Sequence, residues 1–340
     1  MSTNRIFFYP ILLLSLLGLR FAYPPIAFPG FLSVQSATAN PITVVAPSGN
    51  AVNPAPELIF SGTRNATSAP QSVVIRNDQT TPVAITDITL SGTNASGFTI
   101  TQAPTLPLKL APDATATIRV AFSPRDTVGS LSAQLAISQA DAHTTVGLYG
   151  LSAQAREGSN EPPLHAIVQT LGYSIDVGGA QLILDKGPAP IGDEVLVPLF
   201  RQAGPGEVTL RPVARYSPGG PVAYGYYVPD NPVDTREVGT VANDQGQSLN
   251  PARSAGTLTF DPGEQPFGFY ADVTSYAAQK TFTEDARNTG PLAHAVRTYP
   301  VKNRRGATVP NTYLVCMEPA SNGDYQDYVF LVSNVKPAAQ

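Results

Sequence analysis

The 340-residue chain carries a formal net charge of −4, only 14% charged residues, and Gly 28 and Pro 33. That length allows two domains with cores of their own, and so much Gly and Pro favours many short strands over long helices. The charge balance, without an extended basic block, gives no footprint for nucleic acid, and the single Cys316 excludes an intramolecular disulfide or a cysteine-based zinc cluster.

The N-terminus reads as a targeting segment. Arg5 supplies a basic start, and Ile6 to Leu19 is almost continuously apolar, broken by Pro10 and Ser15. Ala37-Thr38-Ala39 offers the small-x-small pattern that a signal peptidase cuts, so residues 1–39 are predicted to be a secretory signal cleaved after Ala39. The alternative is an uncleaved anchor, although the apolar run before Arg20 is short for the roughly 20 residues that span a bilayer. Export without disulfides points to a bacterial chain.

From about residue 52 to 155, short strands alternate with turn signals. Val73 and Ile75 share a face; so do Ile118, Val120 and Phe122, then Leu131, Ala133, Leu135 and Ile137, then Val146 and Leu148. Val83 and Ile85 are odd while Ile88 and Leu90 are even, which predicts a bulge near Thr86–Asp87. The pattern is that of a β-sandwich. The runs Ser72-Val-Val-Ile-Arg-Asn77, Pro82 to Gly92, Leu110 to Pro124 and Val146-Gly-Leu-Tyr-Gly150 resemble the hydin-type (ASH-like) immunoglobulin-like modules. That resemblance implies an immunoglobulin-like fold acting as a spacer or interaction scaffold, with no catalytic constellation.

Residues 156–163, polar and then Pro-rich, read as an exposed linker. Beyond it, strands are predicted at 173–177, 194–200, 207–216, 256–260, 267–273, 295–301, 313–317 and 328–335. The fold class is therefore all-β: an immunoglobulin-like sandwich, then a jelly-roll-like β-sandwich over 164–340 as the binding domain.

Three features of this second part carry chemistry. The loop between Met317 and Tyr328 offers Glu318, Asn322, Asp324 and Asp327, oxygen ligands suited to a hard divalent cation, in a spacing unlike an EF-hand. A second acidic turn, with Glu284 and Asp285, precedes His294 and Arg297 and is a source of further ligands. The alternatives are turn caps at Asp324 and Asp327 and a hydrogen-bonded structural role for His294. Tyr216, Tyr224, Tyr226, Tyr227, Tyr270 and Tyr276 crowd the middle; Tyr224, Tyr226 and Tyr227 are a speculative ligand patch, with core packing as the alternative.

The closing Glu318, short loop and Asp324-Tyr-Gln-Asp-Tyr-Val329 are similar to bacterial C-terminal domains of uncharacterised function that end in D-Y-x-D-[YF]-V. The resemblance implies an exported, adhesin-like protein and a Ca2+ ion in this loop. Pro319 stands where related loops more often carry a second acid.

Three functions compete. The first is a surface or secreted binding protein recognising a glycan or a protein; the second is a structural envelope or matrix protein. The third is a polysaccharide hydrolase using two carboxylates such as Glu284 and Asp324. With no G-x-S-x-G, H-E-x-x-H or dinucleotide fingerprint present, a non-catalytic chain is the expectation.

Overall fold

The computed structural model describes residues 40–46, 52–230, 232–243, 247–274, 277 and 279–338. The predicted signal segment lies outside the described residues. Among them the chain is all-β apart from short helical segments, and it builds two β-sandwiches.

The first contains β1 (Ile42–Val45), β2 (Glu57–Thr63), β3 (Gln71–Asn77), β4 (Val83–Ser91), β5 (Phe98–Gln102), β6 (Leu108–Leu110), β7 (Thr115–Phe122), β8 (Gly129–Gln139) and β9 (His143–Ala153). One sheet runs β1-β3-β7-β5 and the other β2-β9-β8-β4-β6. Their alternating side chains close the space between the sheets: Val73, Ile75, Ile118, Val120, Phe122, Leu135, Ile137, Val146 and Leu148 are fully buried. The parity break in β4 is a bulge. Its register with β8 shifts between Ile85 and Asp87, which puts Ile85 and Ile88 in one core.

The expected linker is exposed over 156–159 but not beyond. Glu161 and Pro162 are buried, and a helix follows, α1 (Leu164–Leu171), where none was predicted. Leu164, Ile167, Val168 and Leu171 fall at i, i+3, i+4 and i+7 and are all buried. Gly172, at φ 81°, ends the helix in the left-handed conformation, with its N–H on the Gln169 carbonyl and the Tyr173 N–H on that of Val168.

The second sandwich contains β10 (Phe200–Gln202), β11 (Val208–Arg215), β12 (Val222–Val228), β13 (Asp234–Val241), β14 (Ser248–Leu249), β15 (Arg253–Gly256) and β16 (Thr259–Phe260). It continues with β17 (Gly268–Asp272), β18 (Lys280–Phe282), β19 (Val296–Lys302), β20 (Thr308–Met317), β21 (Tyr328–Ser333) and β22 (Val335–Pro337). One sheet has the order β14-β11-β21-β20-β19, with β16 also on β11; the facing sheet is β15-β13-β12-β17-β18. A small β10-β22 pair stands beside them.

Two predicted strands are absent. Tyr173, Ile175 and Val177 alternate inward, but the segment lies as a cover over the core, with the Ser174 N–H reaching Lys302. Over 194–199 the Val197 N–H turns back to the Val195 carbonyl, and Pro198 has no N–H for a ladder. Conversely β12 and β13 were not predicted: a register shift at Tyr224/Gly225 breaks the period-two signal of β12.

The sheet carrying β19, β20 and β21 is covered on both faces. Val315, Met317, Phe330 and Val332 meet the facing sheet. Leu314, Cys316, Val329 and Leu331 instead join α1, Tyr173, Ile175 and Val177, together with Val52, Ile59 and Leu151 from the first sandwich. The two sandwiches thus share one apolar cluster. Arg304 adds a polar clasp: it donates to Glu57 at 3.0 Å and lies over the Tyr149 ring at 3.4 Å.

A fragment of residues 40–156 keeps its own sandwich core but loses the cover over Val52, Ile59 and Leu151. It is expected to unfold cooperatively in thermal melts, at a lower temperature than the first transition of the full chain, and to bind a hydrophobic dye. Equal melting temperatures would contradict the shared core.

Candidate functional site

Arg297 sits on β19, on the face that also carries Tyr299 and Val301, and is fully buried. A guanidinium there needs partners for its donors. The 185–194 loop supplies them: its Asp185, Gly187 and Ala189 carbonyls accept from Arg297 at 2.6, 3.0 and 3.4 Å. The Glu194 carboxylate closes a buried ion pair with it. The guanidinium also lies 4.7 Å from the Tyr325 ring centre.

Glu194 is fully committed. One oxygen accepts from Arg297 and from the Ile191 N–H; the other meets His294 Nε2 at 3.0 Å. His294 Nδ1 meets the Asp285 carboxylate at 3.0 Å. The imidazole is therefore clamped between two carboxylates. Glu194, and then Asp285, hold its pKa above the usual 6.5 against the opposing effect of burial.

Beside this relay lies a cavity of about 380 Å³. Glu194, His294, Glu284 and Asp285 line it, and Val195, Leu196, Val197, Pro198 and Val296 form its apolar wall. The wall exists because the Val195 N–H bonds the Thr298 carbonyl at 2.8 Å, laying the irregular segment against β19. Asp285 keeps 43% of its side chain exposed, whereas the Glu194 side chain is 1% exposed. Glu284 pairs with Arg287.

The 318–327 loop is closed from within. Glu318 is fully buried and accepts backbone N–H bonds from Ala320 at 2.9 Å, Gly323 at 3.0 Å, Asp324 at 2.9 Å and Tyr325 at 3.4 Å. Those donors hold Tyr325 at φ 53°, a conformation bulky residues rarely adopt, while its hydroxyl donates to the His294 carbonyl at 2.8 Å. Asp324 accepts from Asn322 and Gln326, and Gln326 also donates to Glu161 at 2.8 Å. Asp324 Oδ1 and Gln326 Oε1 are buried with no hydrogen-bond partner. Burial, and next the Asp324 carboxylate, push both Glu161 and Glu318 up to about 7.

The calcium expectation meets this geometry directly. Glu318 faces amide donors, and among the described residues no group of three or more His, Cys, Asp or Glu side chains stands where it could hold a metal. Glu318 is taken up by those backbone amides and Asp324 by Asn322 and Gln326, while Glu284 and Asp285 turn to Arg287 and His294.

The tyrosine patch is a correction. Tyr224, Tyr226 and Tyr227 lie on β12 and are buried; Tyr226 stacks on Phe260 with ring centres 4.2 Å apart. Tyr276 lies outside the described residues. Sequence reasoning missed Glu194 and the 195–198 wall. The available signal was Arg297, a charge at an inward position of an apolar strand, which demands a buried carboxylate somewhere.

No family model matches the chain. No curated protein matches it. Solved structures do. The VesB protease of Vibrio cholerae is 13% identical with a TM-score of 0.23, over 33% of this chain and 32% of that one. The secreted serine protease VesC from Vibrio cholerae is 9% identical with a TM-score of 0.24, over 82% of this chain and 49% of that one. The chain thus spans about a third and a half of those two proteins. The periplasmic chaperone SfaE is 10% identical with a TM-score of 0.27, over 78% and 96%. The expectation of a non-catalytic chain is corrected on this point, since two of the matched structures are proteases; likeness of this degree assigns no activity.

Two outcomes follow. Arg297→Met leaves the buried Glu194 with only His294 and the Ile191 N–H, and is expected to cost about 3–5 kcal/mol in denaturant melts. Arg297→Lys, unable to reach three carbonyls and a carboxylate at once, rescues little of that loss.

The pH dependence runs opposite to the usual carboxylate case. Glu161 and Glu318 contribute stability that is complete below 4.5 and is lost as pH rises through about 7, on the order of 3 kcal/mol each at most. His294, raised above 6.5, loses its contribution as pH rises through its folded value. Melting temperature is expected to be higher at about pH 5.5 than at about pH 8.5, with a shallower slope in Glu161→Gln. Millimolar calcium is expected to leave both curves in place; an upward shift confined to high pH would restore the ion to the loop.

Proposed function

We propose that this chain is an exported ligand-binding protein of the cell surface or extracytoplasmic space. The first sandwich, with its hydin-type resemblance, is the spacer, and the cavity beside β19 is the recognition site. Export rests on the apolar segment before Arg20 and on Ala37-Thr38-Ala39. Among the described residues no helix is long and apolar enough to cross a membrane.

One observation carries the binding role. A cavity of about 380 Å³ has an apolar wall, including Leu196 at 50% exposure, set against a floor of ordered charges. Apolar surface beside a few fixed polar groups is how small-ligand sites are built. The buried Arg297–Glu194 pair keeps that floor rigid.

The test is a small-molecule screen by NMR on the full chain. Shifts from a binder are expected to cluster at 194–198, 283–286 and 294–298, and Leu196→Trp, filling the mouth, is expected to weaken binding at least tenfold while the melting temperature holds. Binders that all map elsewhere would sink the assignment.

A further inference from the structure

We infer that this cavity takes an aliphatic ligand ending in one primary ammonium group, its stem against Val195–Pro198 and Val296 and its cation on Asp285. The inference rests on the reading of the cavity as a ligand site. It follows from which lining charges are still free to act. Glu194 is sealed beneath Arg297 and His294, and Glu284 is paired with Arg287. Asp285 alone among the lining acids is well exposed, and its side-chain partner is a single imidazole edge. A carboxylate has about four lone-pair sites, so a second donor has room.

The lining excludes the other classes. Among the described residues no Lys or Arg lines the cavity, its one base, His294, has both ring nitrogens engaged, and Thr283 donates to the Pro198 carbonyl, so an anion meets three carboxylates with only the Thr298 hydroxyl as a side-chain donor. Among the described residues no Phe, Tyr or Trp lines it either, which removes the usual platform for a sugar. The volume is near the small end of ligand pockets, about 300–1,000 Å³, and suits a short alkyl stem rather than an oligosaccharide.

Binding is coupled to His294. When the imidazole is protonated, the acids Glu194, Glu284 and Asp285 are balanced by Arg297, Arg287 and His294. Tyr299, Tyr325 and Cys316, the other titratable groups around Glu194, are pushed up by burial and stay uncharged. An incoming ammonium therefore makes the pocket cationic until the imidazolium proton leaves to solvent. The ligand replaces that proton, and affinity rises with pH.

The experiment is calorimetry and NMR on the full chain with hexylammonium, Nα-acetyl-lysine methylamide, 1-hexanol and hexanoate, at about pH 6 and pH 8.5. Hexylammonium is expected to bind at 194–198 and 283–298, at least tenfold more tightly than hexanol, with hexanoate weaker still. Affinity is expected to rise severalfold at the higher pH with proton release, and to fall at least tenfold in Asp285→Asn. Binding of the lysine derivative as well would make a protein-borne side chain the source; binding of hexylammonium alone would make it a free amine. Equal or tighter binding of hexanol or hexanoate at these residues would overturn the ligand class and leave the site standing. If no probe shifts these residues, and the wider small-molecule screen also fails to, both readings fall.

Discussion

The constraint on which everything else rests is that the sheet of β11, β19, β20 and β21 is apolar on both faces. An antiparallel sheet that exposes one face shows alternating polarity. Here Leu314, Val315, Cys316 and Met317 are consecutive and all fully buried. The facing sheet covers Val315 and Met317; something else must cover Leu314 and Cys316. The chain solves this with α1, the extended 173–177 segment and the edge of the first sandwich, so the junction between the sandwiches is a piece of core.

Into that covered face the sequence places Arg297. An unpaired guanidinium there would cost several kcal/mol, and the 185–194 loop exists in its folded form because it meets that charge. Glu194 then has one oxygen left, and His294 takes it. The cavity is a consequence: the loop that pays for Arg297 must run back along β19, and its apolar continuation, Val195 to Pro198, becomes the wall. Packing, electrostatics and the candidate site are links of one chain of causes.

The 318–327 loop shows the same logic in a different balance. Its acids look like ligands because they are closely spaced around a glycine. In the fold, Gly323 at φ 85° and Tyr325 at φ 53° turn backbone amides inward, and Glu318 satisfies them. Donor groups at the centre of a loop attract an acid; a cation needs acceptors there. Spacing in the sequence does not reveal which way the amides point.

What the sequence determined by itself was local. Period-two patterning placed β3, β4, β7, β8 and β9 of the first sandwich, and the parity change between Ile85 and Ile88 located the bulge, because both signals come from neighbours that share one face. It also marked β11, β17, β19, β20 and β21, where burial on one or both faces leaves an apolar run. Only the tertiary structure decided the rest. The segment over 173–177 has strand-like residues without a ladder, β12 has a ladder behind a broken pattern, and α1 is too short for its period to stand out from a Pro-rich junction. The candidate site belongs to this second kind. Glu194 and Arg297 are 103 residues apart, and their pairing follows from a buried charge finding the one loop that reaches it, a choice no local pattern encodes.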